Sequence, residues 1–234
     1  MKMKNKATEQ IAAKQKHRDQ LKIKRRAQPN LSRPRPELIE KPSILIVCKG
    51  GNTEPSYFNQ FRLSSATIRA VGEGYNTVSL INRARQLAND KKYDQVWCVF
   101  DKDDFSENDF NNAIRIAESQ GFKVAYSNQS FEYWLILHFD DHQGGGMHRR
   151  DYNEKLNELI RPFGLIYDGN GSKIVSEALF EALNGFDIKA NKKRIDLAIK
   201  RATRNFNRFD HSNPAKEESS TTVFRLTEEL LKYL

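Results

Sequence analysis

Cysteine is scarce in this chain: Cys48 and Cys98 are the two present among 234 residues, and they lack CxxC spacing. That excludes a disulfide framework and a thiolate zinc site. Both lie in apolar, strand-like runs, where cysteine behaves as a small buried hydrophobe. Long apolar runs are also missing, since none approaches the roughly 18 residues that a membrane span requires. The basic start, residues 1–7, leads into no apolar stretch. The expectation is a cytoplasmic protein without a secretory leader or a membrane partner. No internal repeat is present.

Acidic residues are scarce at the start alone. Residues 1–43 hold 13 Lys or Arg against four Asp or Glu, whereas the remaining 26 of each sign cancel, so the whole net charge of +9 lies in this tail. Punctuated by Pro29, Pro34, Pro36 and Pro42, it reads as a flexible basic segment, helical only near residues 8–23. Its plain role is solubility. Its sharper role is nucleic-acid binding, because clustered cations release counterions from phosphates.

Ordered structure is expected to begin abruptly at Ser43. Ile44-Leu45-Ile46-Val47-Cys48 is a continuous apolar run of the kind buried on both faces of a parallel sheet. It ends in Lys49-Gly50-Gly51-Asn52-Thr53-Glu54-Pro55, a turn that enters a helix with Thr53 as the expected N-cap. A strand at 67–71, a helix at 76–89, a strong strand at 95–100, a helix at 107–120 and a strand at 123–127 follow. This alternation predicts an α/β fold with a parallel sheet and right-handed crossovers. Ligands gather at the carboxyl ends of such strands, where the loops 49–54 and 101–104 fall. The aromatic-rich segment 130–139 reads as a short helix, and helical patterns return at 151–160, 172–183, 192–207 and 221–234. The chain thus divides into a tail (1–42), an α/β core (43–140) and a mostly helical part packed on it (141–234).

Asp101-Lys102-Asp103-Asp104 directly after a buried strand is the best local signal for chemistry. Crowded carboxylates repel one another unless a cation sits among them, and hard oxygen ligands suit Mg²⁺ or Mn²⁺. The plain alternative is a solvated loop or a helix cap at Asp104 and Ser106. Glu54, after the other apolar strand, would share the crevice and completes a candidate metal set of Glu54, Asp101 and Asp103. Glu132 lies among the core-like residues Phe131, Trp134, Leu135 and Leu137, so its carboxylate is either exposed on another face or held for use. His138 reads more readily as structural. A metal held there would activate water, with Glu54 completing its shell or moving a proton.

Three blocks carry a family resemblance. Ile44 to Cys48 with Gly50, Thr53-Glu54-Pro55 and Tyr57-Phe58 form the first, and Val99-Phe100-Asp101 with Asp103 the second. Ser127-Asn128, Phe131-Glu132, Trp134-Leu135 and His138-Phe139 form the third. Their order across residues 43–140 resembles the RloB family. The resemblance implies a Toprim-like fold, the sheet shared by topoisomerases, primases and nucleases of the overcoming-lysogenization-defect type. It also implies a nuclease role in bacterial defence against phage and an ATPase partner. One position departs: Toprim-like sites usually end the first strand in Glu before Gly, and here Lys49 precedes Gly50. In a working site of this kind the metal on Asp101 and Asp103 would polarise the phosphate, and Lys49 would stabilise charge on its oxygens.

Residues 189–208 hold eight cations against Asp196 alone. On a helix, Ile195, Ile199, Ala202 and Phe206 form one stripe, leaving Lys193, Lys200, Arg201, Arg204 and Arg208 as a basic face for nucleic acid, or merely a solvated one. Lys173 and His148-Arg149-Arg150 would extend the track. Two function classes follow: a metal-dependent nuclease acting on tRNA, other RNA or DNA, and a catalytically impaired nucleic-acid-binding or ATPase-adaptor subunit. A nucleotide cradle at Gly50-Gly51-Asn52-Thr53 ranks behind both, because it lacks the GxxxxGK[ST] arrangement. The apolar faces of the last helices admit a homo-oligomer, or simply cover the sheet.

Overall fold

The computed structural model describes residues 2–26, 41–70, 77–143 and 145–234. The chain forms two compact units, Met1–Glu40 and Lys41–Leu234. Within the first, helix α1 (Lys2–Arg26) extends beyond the expected residues 8–23 on both sides. Ala, Lys, Gln, Arg and Leu favour helix, and no Gly or Pro interrupts them. Its described side chains, 9–22, are all exposed. The Pro-punctuated stretch lies largely outside the described residues, as do Val71 and Asn76.

The second unit begins β1 (Ile44–Cys48), α2 (Thr53–Asn59), β2 (Ala66–Ala70), α3 (Thr77–Asp90), β3 (Gln95–Asp101), α4 (Glu107–Ser119), β4 (Lys123–Asn128) and α5 (Phe131–Ile136). It is a mixed α/β unit. The sheet has the order β2-β1-β3-β4, all parallel, with a short fifth strand, β7 (Ser220–Thr221), beside β4. All five residues of β1 are fully buried, which explains an apolar run without alternation: a central parallel strand meets apolar neighbours on both faces. Cys48 and Cys98 lie within this core, and burial pushes both thiols up, Cys98 to about 12. Ser106 caps α4 by accepting the Asp109 N–H at 3.1 Å. Gly121, at φ +74°, makes the left-handed turn into β4.

After α5 come α6 (Arg149–Ile160), a 3₁₀ turn, α7 (Glu177–Asn184), the hairpin strands β5 (Phe186–Asp187) and β6 (Lys192–Lys193), and α8 (Arg194–Phe206). A second 3₁₀ turn, β7 (Ser220–Thr221) and α9 (Val223–Leu231) complete the chain. The helix expected over 192–207 therefore loses its first two residues to the hairpin. The one expected over 172–183 starts only after the Ser176 cap, and the one expected from 221 starts at Val223. The C-terminal part also enters the sheet, because β7 pairs antiparallel with β4, Ser127 opposite Thr221 and Asn128 opposite Ser220. Polar groups hold this edge. Thr222 accepts the Tyr126 N–H at 2.8 Å, and Asn128 donates to the Pro214 and Ala215 carbonyls at 2.9 and 3.0 Å. Leu226 and Leu230 are buried where α9 covers β4 and α8. No described helix is long and apolar enough to cross a membrane.

Asn128→Ala takes the donor from the buried Ala215 carbonyl and one of two donors from the half-buried Pro214 carbonyl, so it should cost about 2 kcal/mol, read as a lower urea midpoint at unchanged slope. An unchanged midpoint would show that the Asn128 side chain contributes nothing to this edge.

Candidate active site

Adjacent parallel strands deliver their following loops to one edge. The Lys49 N–H bonds the Val99 carbonyl at 2.9 Å, Lys102 bonds Ser127 at 2.9 Å, and Asp103 bonds Gln129 at 3.0 Å, so the ladders continue past the strands. Lys49, Glu54, Asp101, Asp103 and Glu132 are thereby gathered at the carboxyl ends of β1, β3 and β4. Asp101 is the last residue of β3 rather than a loop residue. It is 6% exposed, and its Oδ2 accepts the Phe131 N–H at 3.0 Å, fixing the start of α5. Asp103, at φ +43°, turns back toward β1. Its Oδ2 lies 3.3 Å from Lys49 Nζ, which also sits 3.6 Å from the centre of the Phe105 ring. Asp104 is exposed.

Glu54 folds over the turn that precedes it. Its Oε1 accepts the Gly50 N–H at 3.2 Å, and a Cβ on residue 50 would lie 2.2 Å from Oε2, so only glycine admits this approach. Burial pushes the Glu54 carboxyl up to about 7, with the Glu132 and Asp103 charges adding to the rise and backbone N–H donors opposing it. Glu132, in the first turn of α5, is 2% exposed. Its Oε1 accepts the Tyr167 hydroxyl at 2.9 Å. Tyr167 has one proton to give, so the Thr53 hydroxyl, 3.0 Å away, donates to it. Thr53 is thus not the N-cap that its sequence position suggested. Asn52 holds that position without a side-chain bond, and the Thr53 hydroxyl is drawn into the Tyr167–Glu132 chain. Burial, then the Glu132 charge, raises the Tyr167 phenol far above its usual range.

Glu132 Oε2 has no hydrogen-bond partner among the described residues. Glu132 lines a cavity of about 230 Å³ together with His148, Arg150, Asn153, Gly169, Asn170 and Lys173. Lys173 and two of the three consecutive residues 148–150 therefore meet at the carboxylate edge. Tyr167, Asn153, Gly169 and Asn170 join them without a sequence signal, because they come from α6 and an irregular loop with no period.

His138 is fully buried, its Nδ1 3.0 Å from the Trp134 carbonyl and its ring edge-on to Trp134 and Tyr57. Burial pushes it down to about 3, so it is a neutral core residue. On α8, Arg201 donates to the Leu137 carbonyl at 2.8 Å, and Arg204 grips Asp141 with both terminal nitrogens. Lys193 and Lys200 are exposed, and Arg208 lines a separate cavity of about 280 Å³ with Gln143 and Glu218.

The expected Mg²⁺ or Mn²⁺ set of Glu54, Asp101 and Asp103 is not drawn together as one ligand cluster in this arrangement. Asp101 turns one oxygen inward to α5 while Asp103 turns to Lys49. Among the described residues no group of three or more His, Cys, Asp or Glu is placed to hold a metal ion. The cation beside Asp103 is the Lys49 ammonium.

The family model described as RloB-like protein matches residues 44–230, most of the chain, and the chain belongs to that family. No curated protein and no solved structure matches it.

A carboxyl held at about 7 when folded, against 4.5 when free, retains a proton in the native state that the unfolded state has lost. Its contribution is full below 4.5 and is lost as pH rises through 7. Glu54→Gln should therefore gain stability over the parent by about 3 kcal/mol between pH 4.5 and 8, followed by urea denaturation at stepped pH. A difference that stays constant with pH would contradict the buried, proton-retaining Glu54.

Proposed function

We propose that this RloB-family chain binds a nucleic-acid phosphodiester at the crevice after β1, β3 and β4, and hydrolyses it with Lys49 and Glu54 as the working pair. The observation that carries the reading is the placing, on one turn and beside Asp103, of a cation and of a carboxyl that titrates near neutrality. Lys49 would exchange Asp103 for a non-bridging phosphate oxygen and stabilise the charge that grows there as water attacks phosphorus. Glu54 would take the proton of that water. The bond from phosphorus to the leaving sugar oxygen then breaks, and that oxygen takes up the proton. Asp101 acts at one remove, by fixing α5 and with it Glu132. Family membership and the basic tail support a nucleic acid, whether tRNA, another RNA or DNA, as substrate. Family membership also supports a place in bacterial antiphage defence under the control of an ATPase partner.

A second reading is favoured by the Lys49–Asp103 ion pair itself. In it the ammonium occupies the place of a Mg²⁺ or Mn²⁺, and the chain is a nucleic-acid-binding or ATPase-adaptor subunit with hydrolysis disabled.

Labelled tRNA, single-stranded DNA and duplex DNA, incubated in EDTA and with either metal, separate the two. The first reading expects cleavage that persists in EDTA and falls by about a hundredfold in Lys49→Ala and in Glu54→Gln. Binding without cleavage, joined to metal-dependent cleavage by Lys49→Glu, establishes the second and overturns the first. Cleavage by the unaltered chain that requires metal overturns both, and returns Asp101 and Asp103 to the role of ligands.

A further inference from the structure

The cavity beside Glu132 is built rather than incidental. Its loop is tied to α6 by reciprocal bonds, Tyr167 N–H to Asn157 Oδ1 and Asn157 Nδ2 to the Tyr167 carbonyl, both at 2.8 Å. Asp168 closes the following turn by accepting the Gly171 and Ser172 N–H groups at 2.8 Å. A Cβ on Gly169 would lie 2.4 Å from Asn153 Oδ1, so this glycine lets the loop close on the helix. His148 Nδ1 accepts the Arg150 N–H at 3.3 Å, which leaves its ring N–H on Nε2. The cavity therefore combines a nearly fully buried carboxylate oxygen lacking a donor with a rim carrying Arg150, Lys173 and side-chain N–H groups.

An oxygen of this kind calls for a ligand N–H, and a rim that carries the exposed Arg150 beside Lys173 suits an anion. Within a nucleic acid one unit supplies both: a base with outward N–H groups and its own phosphate. Glu132 leaves Oε2 and the second lone pair of Oε1 without a donor, and a small turn of its side chain toward the cavity would present them as two parallel acceptors. Guanine matches them with its imino and amino N–H groups. Adenine and cytosine would set a ring-nitrogen lone pair against one of these oxygens, and uracil would set a carbonyl there.

We propose that the cavity receives a single unstacked guanine nucleotide, its Watson–Crick edge on Glu132 and its phosphate on Arg150 and Lys173. This rests on the reading of the chain as a nucleic-acid-processing protein and gives that site a base preference. A volume of about 230 Å³ suits one base withdrawn from its stack.

The test is calorimetric titration of the full chain with the 5′-monophosphates of guanosine, inosine, adenosine, cytidine and uridine, with guanosine, and with inorganic phosphate. Guanosine monophosphate should bind about tenfold more tightly than inosine monophosphate, which lacks the amino group. It should also bind more tightly than guanosine. Glu132→Gln should erase the first difference and Arg150→Ala the second. If Glu132→Gln fails to fold, the base series on the unaltered chain and the exposed Arg150→Ala still decide. Equal binding of all five nucleotides, or affinity that inorganic phosphate reproduces, overturns the proposal. Nucleic acid bound or cut without regard to guanine sinks the pocket alone, whereas guanosine monophosphate bound by a chain that takes up no polynucleotide sinks the broader reading alone.

Discussion

Three nearly buried carboxyl groups, Glu54, Asp101 and Glu132, crowd one end of a parallel sheet, and much of the surrounding structure answers that crowding. A charge removed from water must be neutralised or hydrogen-bonded. Gly50 offers its N–H to Glu54, the first turn of α5 offers the Phe131 N–H to Asp101, and Tyr167 offers its hydroxyl to Glu132. Lys49 meets the partly exposed Asp103. Burial of Glu54 outweighs the backbone N–H groups that its carboxyl accepts, and it holds its proton to about 7.

The crowding follows from topology. Since β1 lies beside β3, and β3 beside β4, all parallel, the loops that leave the carboxyl ends of these three strands reach the same edge. The C-terminal half then closes it: α6 and the loop carrying Tyr167 wall the cavity beside Glu132, and Arg201 and Arg204 of α8 anchor that helix to the segment that follows α5. A basic helix face that reads as a binding track is thereby partly engaged inside the molecule. Exposed cations remain at Lys193 and Lys200.

The core strands were legible because complete burial writes a continuous apolar run, as in Ile44–Cys48. The gathering of Lys49, Glu54, Asp101 and Asp103 followed from the rule that parallel strands present their carboxyl-end loops together. The edge strand Ser220–Thr221 was not legible. It holds the sheet through hydroxyls and backbone, in a run of Ser and Thr with no apolar alternation. Nor was Tyr167, whose place beside Glu132 depends on a long-range bond from an irregular loop. Thr53 had the residue type of a cap and lost that role to a partner 114 positions away. The side chain that stands where a metal was expected, Lys49, was visible as a residue, but its pairing with Asp103 required the left-handed turn at residue 103.

The central claim is that Lys49 is the cation that receives a phosphate. The dependence of oligonucleotide affinity on salt measures this directly, because each phosphate neutralised by a protein cation adds about one to the slope of log affinity against log salt concentration. The account predicts that Lys49→Met lowers that slope by about one and weakens binding across all sequences alike. An unchanged slope, with the variant folded, would contradict it.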